Sequence, residues 1–256
     1  MSARSFYDLP ALYDALHEPD SRIEADGLLA VVRTHRPSSE DFLEPACGTG
    51  RYLSLLAKEG FHPVGYDLNP RALAFARRRL RGTSAEVVQA SMTDFVRPNS
   101  FDAAFSLIGT FRHLLQESDA LRHLRLTARS LRPGGVYVVG LDLVDYSDNL
   151  PDEEGWEVVH RGRRLRHMYL TLPPDRKRRL ERIVNFITAE TRRGDRVLQD
   201  EYDLRSYDAA QWRALIDKSP FSLGGVYDAD GKPTRLSRRT RYALFALVLD
   251  RRSRRP

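Results

Sequence analysis

The sequence predicts an α/β fold: helices cover both faces of a doubly wound, mostly parallel sheet that carries a small antiparallel insertion. Three observations predict it. Short apolar strands alternate with amphipathic helices up to about residue 145. One strand runs into the glycine turn Cys47-Gly48-Thr49-Gly50 and then into a helix. After about residue 150 the alternation gives way to strand-like segments separated by hairpin signals. Strands linked by single helices come out parallel, because each helix returns the chain to the same end of the sheet.

Ile23 to His35 reads as an amphipathic helix ahead of the first strand, Asp41 to Ala46. The glycine turn leads into a helix over Arg51 to Glu59, with Gly60 as its left-handed cap. Pro63 to Asp67 is a second strand. Asn69-Pro70 opens the next helix, since Asn satisfies free amides and Pro needs no donor at the first helical position. Arg77, Arg78 and Arg79 close that helix at the negative end of its dipole. Glu86 to Gln89 and Phe101 to Leu107 are the third and fourth strands. Ser118 caps a helix whose buried face is Leu121, Leu124, Ala128 and Leu131, and His123 falls off that face, toward solvent. Arg132-Pro133-Gly134-Gly135 turns the chain into a fifth strand, Val136 to Leu141.

Glu157 to Leu172, Arg178 to Thr191 and Arg196 to Ser206 then alternate, with hairpin punctuation at Arg161-Gly162 and Arg193-Gly194-Asp195. This predicts about three antiparallel strands. A helix over Asp208 to Lys218 and strands over Phe221 to Tyr227 and Tyr242 to Leu249 complete the α/β pattern. Residues 1–150 and 207–256 are thus read as the core and 151–206 as the insertion. The basic tail, Arg251 to Pro256, is expected to fray.

At 256 residues and 41% hydrophobic content, the chain can bury one generous core. Its single Cys47 excludes an internal disulfide framework. No apolar run approaches the roughly 18 residues that span a bilayer, and Met1 to Pro10 has no apolar signal core. A soluble, cytoplasmic chain with no membrane partner is expected. The net charge of +6 comes largely from arginines at 161–166, 176–182 and 251–255. These read as solvated faces, or as an attraction to nucleic acid or another polyanion.

The strongest local signal is Phe42-Leu43-Glu44-Pro45-Ala46-Cys47-Gly48-Thr49-Gly50. A strand, a glycine turn and a helix in this order place a ligand at the carboxyl edge of the sheet. Gly48 and Gly50 let backbone come close to that ligand. The nicotinamide fingerprint needs a third glycine where Leu53 stands, and no phosphate-binding G-x-x-x-x-G-K-[ST] loop is present. Glu44 would oppose a pyrophosphate but suits a ligand bearing an ammonium and a sulfonium. Asp67, at the end of the second strand, can accept both hydroxyls of a ribose. Ser91 and Met92 follow the third strand, where Met92 would give an adenine an apolar face and Ser91 a hydrogen bond.

Together these segments resemble the class I S-adenosylmethionine (SAM)-dependent methyltransferase superfamily. Glu44 to Gly50 resembles its first motif and Gly65 to Pro70 its second. Ala90 to Asp94 sits where its adenine-binding motif falls. Phe101 to Ser106 and Leu131 to Val136 resemble its fourth strand and the approach to its fifth. Ser91 departs from the acid found in many members. The resemblance implies a Rossmann-like sheet of seven strands, the last antiparallel. It also implies SAM as cofactor, held by Tyr13, Glu44, Ala46, Gly48, Gly50, Asp67, Leu68, Ser91, Met92 and Ser106. Tyr7 to Asp14 resembles the N-terminal lid of small-molecule N- and O-methyltransferases, which makes 1–20 a lid and the insertion a roof over the acceptor.

Methyl transfer from a sulfonium is an in-line displacement with a good, neutral leaving group. The protein has mainly to position donor and acceptor and exclude water. His113, just beyond the fourth strand, could orient or deprotonate an acceptor. Tyr7 and Tyr13 could close over the methyl group, and Asp142 could bind an amine or hydroxyl. Cys47 lies in the turn beneath the cofactor, so it is not a nucleophile for pyrimidine methylation. The place after the fourth strand reads Ser106-Leu107-Ile108-Gly109, which lacks an adenine N6-methylation signature; Pro173-Pro174 in the insertion is a decoy for it. Ser106 also removes the acid that a metal-dependent catechol-type site requires. His160 and His167 face opposite ways on a strand, so no metal site is expected. The first reading is N- or O-methylation of a small molecule by a monomer or homodimer. The others are an RNA or protein methyltransferase docking through its arginines, a non-catalytic SAM-binding protein and, most distantly, a nicotinamide-binding protein.

Overall fold

The computed structural model describes residues 5–191, 194–237 and 240–250. Two N-terminal helices, α1 (Pro10–His17) and α2 (Ser21–His35), precede the alternating core. The core begins β1 (Asp41–Pro45), α3 (Arg51–Lys58), β2 (His62–Asp67), α4 (Pro70–Arg79) and β3 (Glu86–Gln89). It continues with β4 (Phe101–Ser106), α5 (Glu117–Ser130) and β5 (Leu131–Asp142). A second sheet follows, of β6 (Asp152–His160), β7 (Arg163–Thr171), β8 (Leu180–Ala189) and β9 (Arg196–Arg205). The chain closes with α6 (Ala209–Asp217), β10 (Phe221–Tyr227) and β11 (Tyr242–Leu249).

The main sheet has the order β10-β11-β5-β4-β1-β2-β3. Pairs among β1 to β5 are parallel, whereas β11 runs antiparallel to both β5 and β10. β1 lies between β2 and β4, so its carboxyl end is the point where the winding reverses and a crevice opens. Side-chain alternation builds a core on each face. Leu43, Ala104, Tyr137 and Phe245 face α5 and α6, meeting Leu124 and Trp212. Phe42, Ala103, Phe105 and Val138 face α2 and α3, meeting Leu28, Val32 and Leu56.

Local chemistry follows the sequence in most places. The Asn69 side chain accepts from the Arg71 and Ala72 amides, and Pro70 opens α4. Asp208 and Gln211 form a capping box at α6. Two details of α5 differ from expectation. Ser118 lies inside the first turn, and the cap position is Gln116, whose side chain makes no cap bond. His123 is fully buried, not solvated: it bridges the Tyr137 hydroxyl at 2.8 Å and the Met92 carbonyl at 3.0 Å. His123 lies off the apolar face of Leu121, Leu124 and Ala128, and two fixed partners offset the cost of burying it. The Arg132 to Gly135 turn is a break in register within β5: Phe101 pairs with Leu131 and Ala103 with Val136.

The insertion is a four-stranded antiparallel meander, one strand more than expected, because the Arg161-Gly162 turn splits its first segment into a full hairpin. Arg193 and the Arg251 to Pro256 tail lie outside the described residues. Among the described residues, no helix is long and apolar enough to cross a membrane.

Asp102, at the start of β4, ties the lower edge of the sheet. It accepts from the Glu40 and Asp41 amides and pairs with Arg36 at 2.7 Å and Arg132 at 3.0 Å. Burial alone would push its carboxyl up, but those amides and arginines outweigh it and hold it below the ordinary carboxylate range. A depressed pKa gives stability that is full above the unfolded value and lost as pH falls through the folded one. Asp102→Asn should therefore cost about 1 to 3 kcal/mol at neutral pH, with the gap between the two proteins' urea midpoints closing below about pH 4. A gap that stays constant down to pH 2 would contradict this.

Candidate active site

A cavity of about 820 Å³ opens at the carboxyl edge of β1, β2, β4 and β5, a volume suited to a small-molecule site. Its floor on one side is the glycine turn with Ala46, Gly48, Asp67 and Leu68. On the other side stand Arg112, His113 and Asp142. The concave face of the second sheet covers it, and the N-terminal segment closes one wall through Tyr7, Tyr13 and His17.

Glycine is required at the turn. Gly48 adopts φ +53°, and a Cβ placed on it would meet nothing within 4 Å, so its open side faces space. The Gly48 amide donates to Asp67 Oδ2 at 2.8 Å, and the Asn69 amide donates to Oδ1 at 2.7 Å. Each carboxylate oxygen keeps a second lone pair for a hydroxyl. Burial pushes Asp67 up, and these amides pull it partly back. Glu44 is buried and its Oε2 has no hydrogen-bond partner. Burial pushes its carboxyl well up, opposed by Arg51 and reinforced by Asp67. Together with Tyr13 and Ser106 it lines a smaller void of about 30 Å³ beside the turn. An unsatisfied buried acceptor beside a carboxylate whose two oxygens each keep a lone pair fits a ligand that carries both an ammonium and a ribose.

Polar contacts hold the N-terminal segment over this floor. Asp14 accepts from Thr49 at 2.8 Å and pairs with Arg79 at 2.5 Å. Asn69 donates to the Tyr7 carbonyl at 2.8 Å. Arg51, almost wholly buried, reaches the His17 carbonyl, Ser21 and Glu24. Trp156 of β6 donates to the Leu16 carbonyl at 2.9 Å, joining the segment to the second sheet.

In the acceptor half, the Tyr7 hydroxyl lies 3.2 Å from His113 Nε2. Burial, aided by Arg112, lowers the His113 pKa to about 4, so the ring is neutral at neutral pH. Burial also pushes Asp142 up, against the pull of Arg112 at 3.7 Å. Arg112 is itself buried, paired with Glu181 of β8 and bonded to the Arg205 carbonyl at 2.9 Å.

Residues 42–135 match the family model described as a methyltransferase domain. That stretch is similar to a methyltransferase domain of the class I SAM-dependent kind. The chain is 33% identical over 135 residues to a dTDP-3-amino-3,6-dideoxy-α-D-glucopyranose N,N-dimethyltransferase of Streptomyces fradiae. That stretch is 52% of each protein, so the match spans about half the relative's length. It is 29% identical over 201 residues to a dTDP-3-amino-3,4,6-trideoxy-α-D-glucopyranose N,N-dimethyltransferase of Streptomyces venezuelae, covering 77% of this chain and 81% of that one. The crystal structure of the sugar N-methyltransferase KedS8 from Streptoalloteichus sp. superposes with a TM-score of 0.77 at 26% identity, covering 98% of this chain and 95% of the other.

The structure gathers Tyr7, Tyr13, Ala46, Gly48, Asp67, Leu68, His113 and Asp142 around the main cavity. Glu44 and Ser106 stand on the smaller void. Gly50, Ser91 and Met92 are not brought to the cavity. A Cβ on Gly50 would meet Ala76 at 3.2 Å and Leu80 at 3.3 Å, so its place is set by the packing of α3 on α4. Ser91 bonds its neighbour Thr93, and Met92 packs against the core. Cys47 is buried, with its thiol pushed well up, mainly by burial, which leaves it unreactive. Among the described residues no group of side chains could hold a metal ion.

Sequence reasoning missed Arg112, Trp156, His167, Glu181 and Asn185. All but Arg112 lie on the second sheet, where the residues reaching the cavity recur every second position: 154 and 156, 167 and 169, 181, 183 and 185. That period was readable once the strands were paired.

With the diol contacts removed, Asp67→Ala should weaken binding of SAM and of its demethylated product, S-adenosylhomocysteine, about tenfold or more. Isothermal titration checks this, and unchanged affinity would remove Asp67 from the cofactor site.

Proposed function

We propose that the chain methylates the nitrogen of a small hydroxylated amine, an amino sugar or a molecule of similar size. The observation that carries this reading is a single chamber that joins the glycine turn to His113 and Asp142 beneath the second sheet. The N-methyltransferase names of the relatives that align with the chain support it. We assign residues 5–20 as a lid, residues 1–4 of the expected lid lying outside the described residues, and the second sheet as the roof of the acceptor site. Tyr13, Glu44, Ala46, Gly48, Asp67, Leu68 and Ser106 are proposed to hold the cofactor.

When bound, SAM supplies an electrophilic methyl group with a neutral thioether as leaving group. The chain's own residues then have to deliver an amine lone pair in line and keep water out. The acceptor reacts as the free amine, its ammonium having lost a proton to solvent before transfer. Asp142 accepts one N–H of that amine and neutral His113 accepts a second, which turns the lone pair toward the donor; the methylated ammonium that forms faces Asp142 and gives up its proton to solvent on release. A group with a pKa of about 4 binds a proton too weakly to act as the main base, so His113 is a positioning residue whose own orientation Tyr7 fixes. Burial of the chamber under Trp156 and the N-terminal helix excludes solvent.

The nucleic-acid reading is weakened by the pairing of the arginines on the second sheet. Arg164 and Arg166 pair with Glu157 and Glu190, and Arg182 pairs with Glu201 and Asp203. These contacts reduce the positive field open to a polyanion.

His113→Gln should lower kcat/KM for an amino-sugar acceptor roughly tenfold, the effect of one lost orienting hydrogen bond. The wild-type rate should show no histidine limb near pH 6.5, because this ring charges only as pH falls through about 4. A limb at pH 6.5 that disappears in His113→Gln would contradict the assignment.

A further inference from the structure

The turn that leaves β4 carries an isoleucine where turn chemistry calls for another residue. Leu107 to Thr110 closes with the Thr110 amide donating to the Leu107 carbonyl at 3.1 Å. The two central residues, Ile108 and Gly109, have φ +45° and +72°. A turn with positive φ at both centres favours Gly, Asn or Asp. Gly109 meets that rule. Ile108 breaks it, because a β-branched side chain crowds its own backbone in the left-handed region.

Other parts of the chain hold the strained residue in place. The Tyr242 hydroxyl of β11 accepts from the Ile108 amide at 3.2 Å, and the Gly109 amide donates to the Gly140 carbonyl of β5 at 2.9 Å. A Cβ on Gly140 would collide with that tyrosine hydroxyl, so the glycine makes room for it. The bend itself has a use, since it opens the single 3-10 turn Thr110–His113 and brings His113 to the chamber. That accounts for the positive φ but not for an isoleucine. Core packing does not account for it either: the side chain is 38% exposed and belongs to none of the buried hydrophobic clusters found among the described residues. Ile108 lines both the main chamber and the smaller void beside Glu44. Tyr13, Ala46, Gly48, Thr49 and Thr110 also line both, and Ile108 has the largest aliphatic side chain of these six. On the chamber side the turn abuts Asp142, because a Cβ on Gly109 would stand 3.8 Å from Asp142 Oδ2. Backbone strain kept at a ligand cavity is a mark of function.

We propose that Ile108 is a specificity-determining residue, whose side chain forms the wall between donor and acceptor and limits the size of the substituent that the acceptor nitrogen carries. The proposal rests on the reading of this chamber as the acceptor site of an amine methyltransferase. A β-branched side chain suits such a wall, because its first torsion is stiff and it does not fold aside. Gly or Asn at the same place would relieve the backbone and open the wall.

The test uses the full chain with SAM and three amines: methyl 3-amino-3,6-dideoxy-α-D-glucopyranoside and its N-methyl and N-benzyl derivatives. The two derivatives are both secondary amines and differ in the size of the substituent. The wild type should favour the N-methyl over the N-benzyl compound in kcat/KM by about tenfold or more. Ile108→Gly should reduce that preference by about tenfold. Ile108→Asn, which left-handed backbone tolerates, should reduce it by a smaller factor and raise the urea midpoint, since strain is lost and little packing goes with it. If the Gly variant fails to fold, the Asn variant decides alone. A preference unchanged in the variants overturns the proposal, as does a wild type with no preference. A lower urea midpoint with an equal loss for all three amines also overturns it and makes Ile108 a packing residue. Each of these contrary results leaves the amine-acceptor reading standing. If a wild type that binds S-adenosylhomocysteine methylates none of the three, the acceptor reading fails and the proposal fails with it.

Discussion

The hydrogen bond from the Gly48 amide to Asp67 sets the geometry on which the rest of the site depends. It joins the carboxyl ends of β1 and β2 at the point where the sheet reverses its winding. The bond is available only because the turn after β1 takes left-handed backbone at Ala46 and Gly48, which bends the chain back over the sheet edge. Asn69 accepts the α4 amides with one end of its side chain and, with the other, donates to Tyr7. Two short polar side chains thus fix the floor of the crevice, the start of a helix and one edge of the N-terminal wall.

That wall is held on both sides by different physics. Toward the floor it is polar and buried: Asp14 on Thr49 and Arg79, and Arg51 on Glu24, Ser21 and the His17 carbonyl. A buried guanidinium with several oxygen partners is costly to undo, because removing any one leaves charge uncompensated. Toward the roof the contact is mostly aromatic, with Phe6, Tyr13, His17, Trp156 and His167 within ring contact of one another. Apolar ring faces tolerate sliding better than directed hydrogen bonds do. Directed bonds hold this side too: the Ser5 hydroxyl and the Phe6 amide donate to Asp200 of β9, and Trp156 donates to the Leu16 carbonyl.

The same division explains what was legible in the sequence. Phe42 to Gly50, Asp67 and Asn69-Pro70 announce themselves because each needs a particular residue type: open backbone, a diol-binding carboxylate, a capping amide. Most strands beyond them were placed by period, but the segment Glu157 to Leu172 is divided by the Arg161-Gly162 turn into parts of β6 and β7. His123 was misread because its burial depends on Tyr137 and the Met92 carbonyl, both distant in sequence. Arg112 was not singled out beside His113, because its partners, Glu181 and the Arg205 carbonyl, arrive only when the second sheet folds back. Gly50 was assigned to the ligand, although its close neighbours are Ala76 and Leu80. Long-range partners carry no local signature.

The family model ends at residue 135, just where the chain stops building the cofactor floor. The physical demand changes there. A ribose, an ammonium and a sulfonium impose one arrangement of donors and acceptors, whatever is being methylated. An acceptor imposes only a shape and a few polar points, and these can be met from a sheet whose inward side chains vary independently of its backbone pairing. Over part of each strand from β6 to β9 the residues facing the cavity recur at every second position, while the hydrogen bonds of the meander need none of those side chains. Substitution on that face can change what the chamber accepts without disturbing the strands. The Arg112–Glu181 pair is an exception, because it joins β8 to the turn that carries His113, so a change at Glu181 is felt beyond its own strand.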